Sequence, residues 1–340
     1  MAEEALEAPA RAAEQLRRNA DLVRAAGQRL RDLAPPFAAT LARGTSDQAA
    51  AFAKFLFETH VAMPTLSHAP SIGSLYHATS RRFDGVPLIA ISQSGRSPDL
   101  LAAARDARRQ GAIVIAVVND TASPLADLAE IVIPVHAGPE TSVAATKSFV
   151  CTLVALAHLA AEWSRDDALL ATLAKTGAVL EEAALADWTS AVPLLREAKT
   201  MLVLGRGPTL PIAGEAALKL KETSGLHAEA FSSAEVAHGP MRLVGAGDPV
   251  LVLAPLDVAR EGLSDRLADF AARGAALIVA GVPAETAFDA TVLPFRHDVH
   301  PVLGAIAQIQ SFYGLAEALA LARGLDPDRP PHLNKVTRTL

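Results

Sequence analysis

The chain has 340 residues, is 51% apolar and carries a formal charge of -6 with no Lys/Arg-rich block. That length exceeds one ordinary core and suits two domains. The charge balance and the 4% aromatic content argue against nucleic-acid and anionic-membrane surfaces. The start, "MAEEALEAPARAAEQL", is acidic and reads as helix, not as a signal peptide. No apolar run reaches the ~18 residues that span a bilayer. The single cysteine, Cys151, lies in an apolar helical run and reads as core. A reducing, cytoplasmic location is therefore expected.

After a helical segment over residues 1–34, strands and helices alternate. "FAATLARG" (37–44), "VPLIAIS" (86–92), "AIVIAVVN" (112–119) and "AEIVIPVH" (129–136) read as buried strands. Between them run amphipathic Ala/Leu stretches such as "SDQAAAFAKFLFETHVA" and "SPDLLAAARDARRQGA". Such alternation predicts an α/β fold with a doubly wound parallel sheet.

The pattern restarts about 160 residues later. "KTMLVLGRGPTLPIAGEAALKL" (199–220) echoes the first strand and helix, and "DPVLVLAP" (248–255), "FAARGAALIVAGV" (270–282) and "ATVLPF" (290–295) echo the rest. A repeat of that length is a duplicated domain, not a solenoid. The expected division is one domain over 35–170, a second over 190–325, a helical link around 165–195 and a tail over 326–340. Pro330 and Pro331 exclude a helix in the tail.

In a parallel sheet, ligands bind beyond the carboxyl ends of the strands. The loop after the second quoted strand, "SQSGRSP", places Ser92, Gln93, Ser94, Gly95 and Ser97 there, just ahead of a helix. Hydroxyls, free amides and a helix N-terminus together make an anion cradle. Ser97-Pro98 also reads as N-cap and first helical residue. "RGTSD" brings Gly44, Thr45 and Ser46 to the end of the first strand, and "GPETSVAATKSF" brings Thr141, Ser142, Thr146 and Lys147 to the end of the fourth. The second copy has "APLDVAR" in place of the serine loop, so the cradle is expected in one copy only. "GRGPTLPIAG" lacks the glycine spacing of a dinucleotide site, and no metal-binding motif occurs, so neither metal nor organic cofactor is expected.

The second copy carries "EAALKLKETSGLHAEAFSSAEVAHGP" (215–240), read as a polar helix and loop. Glu215, Lys219 and Glu222 fall on one helical face. A partly desolvated carboxylate at a helix end suits proton abstraction beside a carbonyl. With His238 before Gly-Pro and Lys335 in the tail, Glu222 completes a candidate acid/base set.

"ISQSG", "TSVAATKSF", "LGRG", the 215–240 run and "HLNKVTRTL" resemble, in order and over the whole chain, the isomerase half of glucosamine-6-phosphate synthases, a tandem pair of sugar isomerase (SIS) domains. The chain begins where the synthase's glutaminase domain would end, so stand-alone SIS-type glucosamine-6-phosphate deaminases are the expected nearer kin. The resemblance implies a phosphate and sugar site at Thr45, Ser46, Ser92, Gln93, Ser94 and Ser97, with sugar-hydroxyl contacts at Val143 and Ala145. It implies an enolisation base at Glu222 with Lys219 beside it and an imine-forming lysine at Lys335. It implies a ring-opening His238 donated across a homodimer. The expected substrate is a phosphorylated amino sugar or ketose. Deglycation of fructosamine-type 6-phosphates, a synthase-like aminotransfer and a non-catalytic sugar-phosphate sensor are the competing readings. The sequence departs from the family at Arg43, Arg96 and Ala145, where Cys, Glu and Ser are usual.

Overall fold

The computed structural model describes residues 1–76, 78, 83–283 and 288–335. The expected tail therefore lies outside the described residues from position 336 on. Two compact units emerge. One comprises Ala10–Glu140, Lys147–Gly177 and the chain from Asn334; the other comprises Met1–Pro9, Thr141–Thr146 and Ala178–Leu333. They are called the N-terminal and C-terminal units below.

The N-terminal unit is built on β1 (Ala38–Leu41), β2 (Thr65–Ser67), β3 (Pro87–Ser92), β4 (Ile113–Val118) and β5 (Ile131–Pro134). All pair in parallel, in the order β2-β1-β3-β4-β5. Every residue of β3 is buried, as a strand covered by helices on both faces requires. One side packs Leu88, Ala90, Val114 and Ala116 against Leu100, Ala104 and Ala107 of the helix Pro98–Arg109. The long helix Ala2–Leu33 precedes the first strand. Its Gln15 amide donates to the carbonyls of Val135 (2.8 Å) and Cys151 (3.0 Å), and Asn19 donates to that of Pro134 (2.8 Å).

Cys151 is buried in the helix Lys147–Ser164, and burial pushes its thiol well above the usual range, so it is inert packing as expected. On the same helix His158 is also buried, and desolvation with nearby Arg24 pushes it down to about 4. The folded state therefore holds this imidazole neutral while the unfolded chain takes up a proton. Its contribution is complete above the unfolded value of 6.5 and is lost as pH falls toward 4, by about 3 kcal/mol in all. Urea unfolding at pH 7 and pH 4.5 checks this: His158→Gln should shrink the stability gap between the two conditions by about 2–3 kcal/mol. An unchanged gap removes His158 as the cause.

The C-terminal unit repeats the topology with β6 (Thr200–Gly205), β7 (His227–Ser232), β8 (Pro249–Leu253), β9 (Ala276–Ala280) and β10 (Ala290–Val292). The order β10-β9-β8-β6-β7 is the first sheet's order once β6 is matched to β1, and again every pair is parallel. The duplication read from the sequence is thus a duplication of topology. Helices Asp167–Leu173 and Thr176–Leu185 lie in the sequence between the strands of the two sheets.

Two strands escaped the sequence reading. β2 is only three residues long. β7 lies within the run read as helix and loop: its burial alternates weakly, with His227 and Glu229 exposed and Ala228 and Ser232 buried. It is an edge strand, so one hydrogen-bonded neighbour, β6, suffices to hold a polar sequence.

Candidate active site

In the N-terminal unit the chain starts at β1, goes outward to β2 and returns to β3. The order of strands therefore reverses between β1 and β3, and the crevice of the sheet opens at their carboxyl ends. Two of the predicted hydroxyl loops stand there. Gly44, at φ 56°, is the N-cap of the helix Thr45–His60 and offers no side-chain acceptor to its first turn. After β3, the buried Ser92 hydroxyl accepts the Gly95 N–H (3.0 Å), and Ser94 Oγ accepts the Arg96 N–H (3.4 Å). The Gln93 carbonyl accepts N–H groups from Asn119 and Asp120, and the Gly95 carbonyl accepts that of Leu125 (3.2 Å). Gly95 sits at φ 63°, and a Cβ there would stand 2.2 Å from Ser123 Oγ. The loop after β4 thus fixes the turn. Ser97 is the N-cap and Pro98 the first residue of the next helix, as expected, but the Ser97 hydroxyl makes no capping bond.

The added cations at Arg43 and Arg96 each have a carboxylate of their own. Arg43 Nε donates to the buried Asp99 at 2.9 Å, and Arg96 donates to Asp120 at 2.8 Å. The Arg96 guanidinium and the Ala122 N–H hold the Asp120 carboxyl below the usual carboxylate range. These departures add internally neutralised pairs to the cradle's rim.

The third predicted loop behaves differently. β5 is at the sheet edge, with β4 between it and β3, and Thr141–Thr146 pack within the C-terminal unit. There Glu4 accepts the Thr141 N–H, the Thr141 hydroxyl (3.1 Å) and the Ser142 N–H (3.3 Å). The Val143 N–H donates to the Asp328 carbonyl at 3.1 Å. The third loop is thus assigned to a different unit from the other two. Of the two residues expected to contact the sugar, Val143 has its N–H engaged in this way, and Ala145 is half-buried.

In the C-terminal unit the helix Leu210–Ser224 runs back from β6 toward the start of β7 and ends on Gly225 in the left-handed conformation, φ 60°. Its one-faced triplet is assembled as the spacing predicts. Lys219 is 1% exposed, lies 3.6 Å from the wholly buried Glu215 and is ion-paired with Glu222. Glu222 keeps 23% of its side chain exposed, so it is the member of the set that opens outward. His238 ends the short turn Glu235–His238 and is exposed. Among the described residues no hydrogen bond joins it to the Lys219 cluster.

The C-terminal unit's own crevice is filled. Thr209 Oγ1 donates to the Leu253 carbonyl at 2.7 Å, Gln308 donates to the Ala254 carbonyl at 2.7 Å, and Arg260 donates to the Gly281 carbonyl. These side chains occupy the strand ends where the first copy places its serines. Because the helix runs antiparallel to the strands, Glu222 in its last turn lies at the opposite, amino end of this sheet.

Lys335 docks on Glu140, 3.1 Å from Oε2. Glu140 was missed by the sequence reading, which named hydroxyls and a lysine around it. Its signal was an acidic residue beside a predicted buried strand end, where a carboxylate needs a partner. Among the described residues no group of His, Cys, Asp and Glu is arranged to hold a metal ion.

The SIS domain profile matches residues 38–162 and 194–280. A glutamine–fructose-6-phosphate aminotransferase (isomerizing) of Bradyrhizobium diazoefficiens is 35% identical over 312 residues, which cover 86% of this chain and 50% of that protein. The chain spans about half the length of the curated relatives it matches. A Silicibacter pomeroyi protein assigned as a phosphosugar isomerase superposes with a TM-score of 0.90 at 40% identity, over 96% of this chain and 99% of that one. The C-terminal domain of the Francisella tularensis glucosamine-fructose-6-phosphate aminotransferase superposes at 0.82 with 25% identity, over 96% and 97% of the two chains. Two parallel sheets of one topology, the matched profile and these relatives place the chain in the SIS domain family.

Proposed function

We propose that the chain acts on a phosphorylated sugar and, more specifically, converts glucosamine 6-phosphate and water to fructose 6-phosphate and ammonia. The observation that carries the reading is the Glu215–Lys219–Glu222 set, a buried ammonium between two carboxylates of which only Glu222 opens outward. Burying such a set is unfavourable for packing alone, and a poised carboxylate is what carbonyl isomerisation needs. A mere sensor has no use for it. In this reading Thr45, Ser46, Ser92, Gln93, Ser94 and Ser97 bind the phosphate and sugar, and Val143 and Ala145 line the sugar. His238, exposed in its own chain, opens the ring for a second copy in a homodimer. Glu222 moves a proton between C2 and C1 to give the 2-ketimine, and water hydrolyses it. The residues need neither metal nor organic cofactor for these steps. The relatives' names support the substrate class, and a Thermotoga maritima glucosamine-6-phosphate deaminase shares the fold, with a TM-score of 0.78 at 18% identity.

Ammonia release from glucosamine 6-phosphate by purified protein tests the reading. Release of a free amino acid from a fructosamine 6-phosphate, without ammonia from glucosamine 6-phosphate, would replace it with deglycation.

The cradle gives a separate prediction. Ser94→Ala should weaken fructose 6-phosphate binding by about 1.5–3 kcal/mol, the worth of a hydrogen bond to a charged group, with the melting temperature unchanged. Ser92→Ala should do both: lose affinity and, because its hydroxyl holds the Gly95 N–H, lower stability by about 1 kcal/mol. Calorimetric titration and thermal melts read the two effects. Wild-type affinity in both variants removes the phosphate from this loop.

A further inference from the structure

Among the described residues, Ser148 and Lys335 bring three donors to Glu140, whose side chain is fully buried. The Ser148 N–H reaches Oε1 at 3.1 Å, the Ser148 hydroxyl reaches Oε2 at 2.6 Å and the Lys335 ammonium reaches Oε2 at 3.1 Å. Ser148 lies in the first turn of the helix Lys147–Ser164, so its N–H has no acceptor within the helix. That helix end fixes the carboxylate's orientation before Lys335 arrives. Lys335 is 25% exposed and reaches inward to it. Lys147 and Arg11 are the other cations of this patch, both acting with Glu140 on the Cys151 thiol. A carboxylate withdrawn from water costs several kcal/mol unless donors and a cation meet it. An apolar side chain would serve packing better, so the acid has another use.

We propose that Glu140 is the positioning residue of Lys335: it draws the lysine side chain inward and fixes where its nitrogen stands. The proposal rests on the reading of Lys335 as the imine-forming group. In that role the ammonium passes its proton to Glu140, giving a neutral amine and a carboxylic acid. The amine then adds to the open-chain carbonyl carbon, and water leaves as the C=N bond forms. The pair supplies both forms of the lysine without bulk water.

The test is lysine acetylation by acetic anhydride at pH 8 on the full chain, followed site by site by mass spectrometry. It needs no sugar, so its outcome is independent of the substrate. In the wild type, Lys335 should react about tenfold more slowly than the exposed Lys175 and Lys199, because its nitrogen is held against the Glu140 carboxylate and is mostly covered. Glu140→Gln should raise Lys335 to their rate, with thermal melts confirming a folded chain. If the variant does not fold, the wild-type comparison decides alone. Lys335 reacting as fast as Lys175 in the wild type, or staying protected in folded Glu140→Gln, overturns the proposal. Release of Lys335 in the variant with unchanged ammonia production upholds the positioning and instead removes the imine role.

Discussion

Glu222→Gln should lower turnover by ~10²–10⁴-fold, the contribution of a positioned base, while sugar-phosphate affinity stays near that of the wild type. The amide keeps the shape of the side chain and an oxygen for the Lys219 ammonium, and Lys219 retains Glu215 at 3.6 Å. The buried cation is therefore not abandoned, and the fold should survive. That separates this substitution from any change at Lys219, which would leave Glu215 buried without its cation and cost about 3–5 kcal/mol of stability. Exchange of the sugar's C2 proton with deuterated water reads the proton transfer directly. Exchange at the wild-type rate in Glu222→Gln would mean that another group is the base.

Lys335→Arg should abolish turnover and preserve the fold. Guanidinium keeps the charge and can still pair with Glu140, but it cannot form an imine. A chain ending at Asn334 should be equally inactive. That cut is preferable to one at 327, because Pro327 and Pro330 are buried and the Asp328 carbonyl holds the Val143 N–H. Folding of both variants is checked by thermal melts. Most of the activity surviving in Lys335→Arg would reduce the lysine to a charge. Normal deamination by the shortened chain would remove Lys335 from the mechanism.

The strands that the sequence announced clearly, such as β3 and β4, are runs of Ile, Val, Leu and Ala buried on both faces, so composition alone marks them. β7 was illegible because an edge strand with one neighbour tolerates His227 and Glu229, and polar alternation there looks like loop. The Lys219 triplet was legible because helical periodicity fixes which side chains share a face. The division of the hydroxyl loops was not, since Thr141–Thr146 follow a strand of one unit and pack within the other. Chain order cannot reveal that. Glu140 was hidden for a related reason. Its partner Lys335 is 195 positions away, and no local pattern couples them.

The turn at Gly95 is shaped by Ser123 and Leu125, residues of a different loop, and not by the anion proposed to bind there. Its backbone is already confined to one arrangement when the ligand comes. Association then gives up little conformational entropy in the protein, and the free energy of the contacts can appear as affinity. In the proposed function the loop works as a cast mould, not as a hand that must close.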